Sequence, residues 1–325
     1  MTTPARSTTR RTITALWTLA VPALVIAGTL AWTSTVRGRL PEPAAVHWGS
    51  AGPDRAGGFG ELVTIALVLV AVISFAMWAL ATFLGQAAMT RRLAHAVAAW
   101  FAVFMAGVTT TTVAVQLDMA DWTEAGNPTT GMVISLAIAT TLAAVAAIAT
   151  PGDAPSPTLV PVPADAARLD LAASESAVWV RSVRQSSPWL LVGSVLVSAV
   201  VLALATRNVL LTASFTVLLT VPLLTLTSWV VRVDRSGLTA ASRLGWPRQT
   251  VPLDEVESAT ARQVKPLSEF GGWGLRTALD GTTGVVLRKG EGVEVQRTGG
   301  RRFVVTVDDA ESAAALLNTL ADRAR

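Results

Sequence analysis

Stretches of about 20 residues without a charged side chain recur along the chain as far as Val231, and no other feature constrains the fold so tightly. As helices rising 1.5 Å per residue, they match the ~30 Å of hydrocarbon in a bilayer. Six are legible: Ile13–Thr33, Leu62–Leu84, Leu93–Gln116, Met132–Thr150, Pro188–Thr206 and Val209–Val231. With 51% hydrophobic and 15% charged residues, the chain is too apolar for an ordinary soluble domain. The expectation is an α-helical polytopic membrane bundle of six transmembrane helices, followed by a small α+β domain. Arg10-Arg11 precede the first span as in a twin-arginine signal. The bulky apolar residues expected after such a pair are missing, and no small-x-small cleavage site follows Ala31-Trp32. The segment is therefore read as an uncleaved helix.

The polar stretches set the organisation. Residues 1–150 form a membrane region of four helices with an outer loop at 34–61. Residues 151–187 open on a proline-rich linker, Pro151–Pro163. Ala164–Arg184 then carries Ala167, Leu171 and Val178 at helical spacing, which reads either as an amphipathic helix in the membrane interface or as a plain lead-in. A two-helix membrane hairpin fills 188–231, and Pro22 and Pro222 read as kinks. Lys and Arg placement sets the orientation. Arg6, Arg10, Arg11, Arg91, Arg92, Arg168, Arg181, Arg184, Arg232 and Arg235 fall on one face, while 118–130 carries Asp118, Asp121 and Glu124 with no base. Arg37, Arg39 and Arg55 in the first loop run against this pattern without reversing it. Both termini are expected in the cytoplasm of a bacterial cell and His47 outside.

Beyond Val231 the character changes. Residues 232–325 hold 14 Lys/Arg and 12 Asp/Glu, and β-branched segments alternate with turn dipeptides such as Asp280-Gly281 and Lys289-Gly290. Asp308-Asp309 precede an Ala/Leu helix over Ala310–Arg323. Several antiparallel strands closed by one helix give a domain of roughly 90 residues. The isoelectric point near 10.8 reflects a surplus of Arg with no Tyr or Cys to titrate, and the net charge is only +4. It does not indicate a nucleic-acid partner. Zero cysteines exclude disulfides and thiolate chemistry.

The loop Leu40–Asp54 holds one of the two histidines, a Trp, three prolines and two glycines. Its Leu40-Pro41, His47-Trp48 and Gly52-Pro53-Asp54 resemble the motif of a bacterial membrane-protein family found at the N-terminus of SdpI-type immunity and signalling proteins. Here Gly and Pro are adjacent, where the family separates them by one residue. The resemblance spans roughly residues 13–80 and implies topology and location, with a role in envelope stress or immunity to a membrane-active peptide. The tail is similar to bacterial pleckstrin-homology-like domains, through Val233-Asp-x-x-Gly237-Leu, Trp246-Pro247, Val251–Val256, Gly272–Arg276 and Gly300–Val305. That likeness implies a bent antiparallel sheet capped by a helix, a fold that hosts binding.

Pro41, His47, Trp48, Gly52 and Asp54 are thus the candidate recognition residues. A histidine changes charge near neutral pH, which suits a ligand or switch. A metal site wants three or four donors, and only Asp54 and Glu42 lie near His47. A structural role, with imidazole and Asp54 tying the loop together, stands beside recognition of an external peptide. Arg276, Arg288, Arg297, Arg301 and Arg302 form a candidate anionic-lipid patch, set against an ordinary solvated face because Glu291 and Glu294 share the hairpin. Trp246 and Trp273 read as core or interface anchors. The spans contain no ionisable residue in their cores, which disfavours ion-coupled transport. No nucleotide motif and no nucleophile–base–orienter set is visible. The expectation is a non-enzymatic protein without metal or cofactor, whose partners are the bilayer, an external peptide and a cytoplasmic protein. A small-molecule or lipid transporter or permease is the alternative.

Overall fold

A computed structural model describes residues 4–49, 51–172, 174–185 and 188–325. The chain separates into two units, Met1–Gly152 with Leu196–Val217, and Asp153–Val195 with Leu218–Arg325. Four helical stretches are long and apolar enough to cross a membrane: Thr8–Arg39, Phe59–Leu84, Ala88–Ala114 and Thr129–Ala149. The chain therefore has the build of a membrane protein, with a helical N-terminal region and a β-rich C-terminal part.

In the first unit, α1 (Pro4–Ala15) and α2 (Val21–Val36) are joined by a π turn at Leu16–Ala20. Pro22 lacks the N–H that would bond Thr18, and the ladder widens just before it. The first loop then forms a two-stranded ribbon of β1 (Ala44–Gly49) and β2 (Gly52–Gly57). Helices α3 (Phe59–Ala79), α4 (Ala88–Ala114) and α5 (Thr129–Ala149) follow. α4 is the hub, packed by α2, α3 and α5. Its Ala94, Ala98, Ala99 and Ala102 are fully buried, and Gly107 faces Ser135 so closely that a Cβ would lie 2.2 Å from its Oγ. Small residues let the backbones approach where lipid offers no hydrophobic drive. α6 (Pro188–Thr206) and α7 (Val209–Leu226) form a hairpin of 19 and 18 residues. Asn208 at its turn donates to Thr129 at 2.6 Å, and Phe215 meets Phe104 edge-to-face at 5.3 Å.

In the second unit, β3 (Trp179–Arg184), β4 (Ser228–Asp234), β5 (Gly237–Ser242) and β6 (Arg248–Val251) make an antiparallel sheet in the order 3-4-5-6. β7 (Val256–Val264), a short α8 (Pro266–Phe270), β8 (Gly274–Thr277), β9 (Thr283–Val286), β10 (Gly290–Arg297) and β11 (Arg301–Thr306) come next. These strands form a second sheet in the order 7-10-11-9-8, in which only the β9–β11 pair is parallel. α9 (Ala310–Arg323) closes the core, where Trp229, Val231, Val233, Leu238, Val295 and Phe303 are almost wholly buried.

Three expectations are corrected here. Val209–Val231 is not one helix, because Ser228 opens β4. Trp229, Val231 and Val233 are buried on one face and Arg232 is exposed, a period of two hidden inside an unbroken apolar run. Ala164–Arg184 is not an interfacial helix either. Its end is β3, where buried Trp179 and Val183 lie four apart, a spacing that both periods satisfy. The rest is an irregular strap: Leu169 N–H donates to Thr319 Oγ1 at 2.9 Å, and Asn318 Nδ2 donates to the Ala167 carbonyl at 3.0 Å. The Pro-rich segment is equally part of this unit, with Val162 in its core.

Glu255 pins the strap's beginning. Its carboxylate accepts from Ser156 N–H at 3.0 Å and pairs with Arg297 and Arg301, and both Glu255 and Arg297 are under a tenth exposed. Arg297 Nε has no partner among the described residues. Glu255→Ala is therefore expected to cost about 3–5 kcal/mol by stranding a buried cation. Hydrogen exchange of β10 and β11 in the full chain should accelerate about a hundredfold or more, and unchanged protection would refute this account.

Asp309 precedes α9 in the left-handed region (φ 61°) and makes no cap bond with its side chain. Its carboxylate instead accepts from Ser312 Oγ at 2.6 Å, Trp179 Nε1 at 3.1 Å and Arg181 at 3.0 Å. These bonds, Ser312's foremost, hold it below the usual carboxylate range. A depressed carboxylate stabilises the fold above its unfolded pKa and loses that contribution as pH falls through the native value. The melting temperature of Asp309→Asn should thus lie below wild type at neutral pH, with the gap closing in acid.

Candidate functional site

The candidate site is the β1–β2 ribbon. Ala44 pairs with Gly57 and Gly49 with Gly52, but the register slips twice between them. Val46 is extra on β1 and Asp54 is extra on β2, so the two bulges cancel. Pro53, which has no N–H to give a ladder, sits beside the second bulge. The bulge aims the Asp54 carboxylate at His47, and Nδ1 meets Oδ1 at 2.5 Å with both side chains about half exposed. Gly49 permits this, since a Cβ there would lie 2.5 Å from Asp54 Oδ2. Gly52 takes φ +123° at the turn, a backbone that favours glycine.

Two-stranded ribbons are marginal alone in water. This one is held by the segment after α4. The carboxamide of Gln116, fully buried, accepts from Ala45 N–H at 2.8 Å and donates to the Ala45 carbonyl at 3.1 Å. It pairs with Ala45 as a neighbouring strand would. The same amide nitrogen, Nε2, also donates to the Thr112 carbonyl at 2.8 Å. Trp48 Nε1 donates to the Gly126 carbonyl at 2.9 Å, and Gly126 N–H donates to Val115 at 2.8 Å. Arg39 makes a two-pronged pair with Asp118, whose hydrogen bond holds that carboxyl below its usual range. Arg55 pairs with Glu61, and Arg37 lies over the Phe59 ring at 5.0 Å. Beside the ribbon, a cleft of about 410 Å³ is lined by Arg37, Pro41, Glu42, Ala44, Gly58 and Phe59 among others.

The five expected residues thus occupy one ribbon and its flank, with different parts to play. Pro41 is buried against the cleft, Trp48 is an anchor, Gly52 shapes the turn, and His47 with Asp54 faces outward. Gln116 and Gly126 were absent from the expectation. A glutamine at the end of an apolar run was the one available signal. His95 is far from this site: it is buried between Thr150 Oγ1 (2.8 Å) and Thr14 Oγ1 (3.2 Å). The helix from His95 to Ala114, two residues short of Gln116, spans ~29 Å. Among the described residues no three His, Asp or Glu gather as a metal site would require.

The five arginines of the tail do not form a common patch. Arg297 is buried and paired with Glu255, joined there by Arg301. Arg302 pairs with Asp280 and Arg288 with Asp308, while Arg276 Nε bonds the Trp273 carbonyl at 2.8 Å. Trp246, expected as a core or interface anchor, is 67% exposed and so lies outside the core.

No family model matches the chain, and no curated protein or solved structure shows significant similarity to it.

Gln116→Ala would leave the buried N–H and C=O of Ala45 unmatched, at about 1–3 kcal/mol for each group. Amide exchange over Ala44–Gly57 should then rise about tenfold or more while α3 and α4 keep their protection. An unaltered ribbon would show that the clamp is dispensable.

Proposed function

We propose that the chain is a non-enzymatic integral protein of the bacterial cytoplasmic membrane, crossing it six times with both termini in the cytoplasm. Its β1–β2 ribbon is a rigid outward recognition element for a membrane-active peptide. The tail, read as pleckstrin-homology-like, passes the event to a cytoplasmic partner, in envelope-stress signalling or self-protection. The observation that carries this reading is the ribbon itself. Gln116 and Trp48 fasten it from below, and His47, Asp54 and Arg55 remain exposed above. A preorganised polar surface loses little freedom on binding a peptide.

The charges favour the orientation. At the ribbon's end of the bundle, Arg39 and Arg55 are neutralised by Asp118 and Glu61. Two of the three arginines that run against the positive-inside pattern are thus held in ion pairs, and Arg37 lies over Phe59. At the other end, Arg91 and Arg92 bond main-chain carbonyls at Gly85, Gln86, Thr150 and Pro151. Asn208 lies level with the start of α5, so the α6–α7 turn belongs with the ribbon's end and supports two further crossings. The transport reading draws no support from the bundle cleft between α2, α3 and α4, whose free volume of about 10 Å³ has room for no more than one water.

A strain lacking the protein should become sensitive to some members of a panel of membrane-active peptides. Wild type should restore survival, while His47→Ala/Asp54→Ala at equal expression should not. Full rescue by the double variant would remove the ribbon from recognition. Unchanged survival after deletion, across the panel, would remove the immunity reading.

A further inference from the structure

The tip of the β5–β6 hairpin, Ser242-Arg-Leu-Gly-Trp-Pro-Arg248, exposes two large apolar side chains. Leu244 is 72% and Trp246 67% exposed. The tip is well formed: Ser242 N–H donates to the Pro247 carbonyl at 2.9 Å, and Gly245 N–H to the Ser242 carbonyl at 2.8 Å. Its place in the sheet is telling. Arg243 N–H donates to the Ser228 carbonyl at 3.0 Å, and Ser228 stands two residues beyond the end of α7. On the other side of β4, Ser228 pairs with Arg184, the last residue of β3, only four positions before α6 begins. The apolar tip and the roots of both helices therefore share one end of one sheet.

Charge marks the same end. Arg184, Arg243 and Arg248 are exposed and have no ion pair among the described residues. The unit's other arginines bond carboxylates, as with Arg168–Asp322, Arg262–Glu294 and Arg302–Asp280, or neutral oxygens, as with Arg235, Arg276 and Arg323. Trp and Leu flanked by Arg fit a boundary where acyl chains give way to anionic headgroups.

We propose that this tip is an interfacial anchor: Leu244 and Trp246 enter the bilayer surface from which α6 and α7 emerge, and Arg184, Arg243 and Arg248 contact anionic lipid headgroups. The inference rests on the reading that α6 and α7 lie in the membrane. The anchor holds the first sheet end-on to the bilayer and leaves the opposite end of β4, about 20 Å away, in water.

Because the chain has no cysteine, single sites can be labelled in the full-length protein. An environment-sensitive fluorophore would be placed at Leu244→Cys, Ser236→Cys and Val200→Cys after reconstitution into vesicles containing phosphatidylglycerol. Val200 is an outward-facing residue within α6, and Ser236 lies at the far turn of β4. The label at Leu244→Cys should be quenched by shallow spin-labelled lipid, Val200→Cys by deep spin-labelled lipid, and Ser236→Cys only by a water-soluble quencher. The immersed-to-free ratio at Leu244→Cys should fall about fivefold for each of Arg184, Arg243 and Arg248 replaced by Gln. Aqueous quenching at Leu244→Cys with deep quenching at Val200→Cys would overturn the anchor and leave the helical hairpin intact. Aqueous quenching at both would overturn the hairpin reading and the anchor with it. A Leu244→Cys label shielded from both water and lipid would place a second protein copy on the tip, which also overturns the proposal.

Discussion

The buried carboxamide of Gln116 is the contact on which the ribbon depends. It fills both hydrogen-bonding groups of Ala45 from the end of α4, as an added strand would. Without it, a two-stranded ribbon with two bulges has too few ladder bonds to hold a shape. With it, the position of His47 and Asp54 becomes a property of the bundle. The chain of cause runs from the alanine-lined packing of α4, through Gln116 and Gly126, to an exposed polar pair, His47 and Asp54.

The C-terminal unit uses the same economy of polar contacts in a different way. Glu255 collects Arg297, Arg301 and the strap at Ser156, so residues far apart in the chain share one buried carboxylate. Asp309 joins α9 to β3 through Trp179 and Arg181. Because the other arginines of this unit bond carboxylates, carbonyls or hydroxyls, Arg184, Arg243 and Arg248, whose side chains have no such bond among the described residues, stand out, and they share the end of the first sheet that adjoins α6 and α7.

Much of the helical part was legible in the sequence, because uncharged runs of membrane length have few alternatives. The turn residues and β-branched clusters of the tail announced its strands, and α9 has the expected bounds, Ala310–Arg323. Three things were hidden for physical reasons. β4 continues the apolar run of α7, so hydrophobicity alone does not show where helix gives way to strand. Trp179 and Val183 satisfy helical and strand spacing at once. The ribbon's bulges erase the alternation that would have revealed two strands in Ala44–Gly57. The motif His47-Trp48 and Gly52-Pro53-Asp54 marked residues that share one ribbon, but their support from Gln116, some 70 residues away, is a long-range contact that no local pattern encodes. The burial of Arg297 was hidden likewise, since its partner Glu255 precedes it by 42 residues.

The central claim is that a fixed ribbon faces the outside of the cell while the tail faces the cytoplasm. In a chain without native cysteine, Arg55→Cys on β2 and Ala324→Cys after α9 can each be probed in intact cells with a membrane-impermeant maleimide. The account predicts rapid labelling at Arg55→Cys, and labelling at Ala324→Cys only after the membrane is permeabilised. Labelling of Ala324→Cys in intact cells, or protection of Arg55→Cys until permeabilisation, would contradict it.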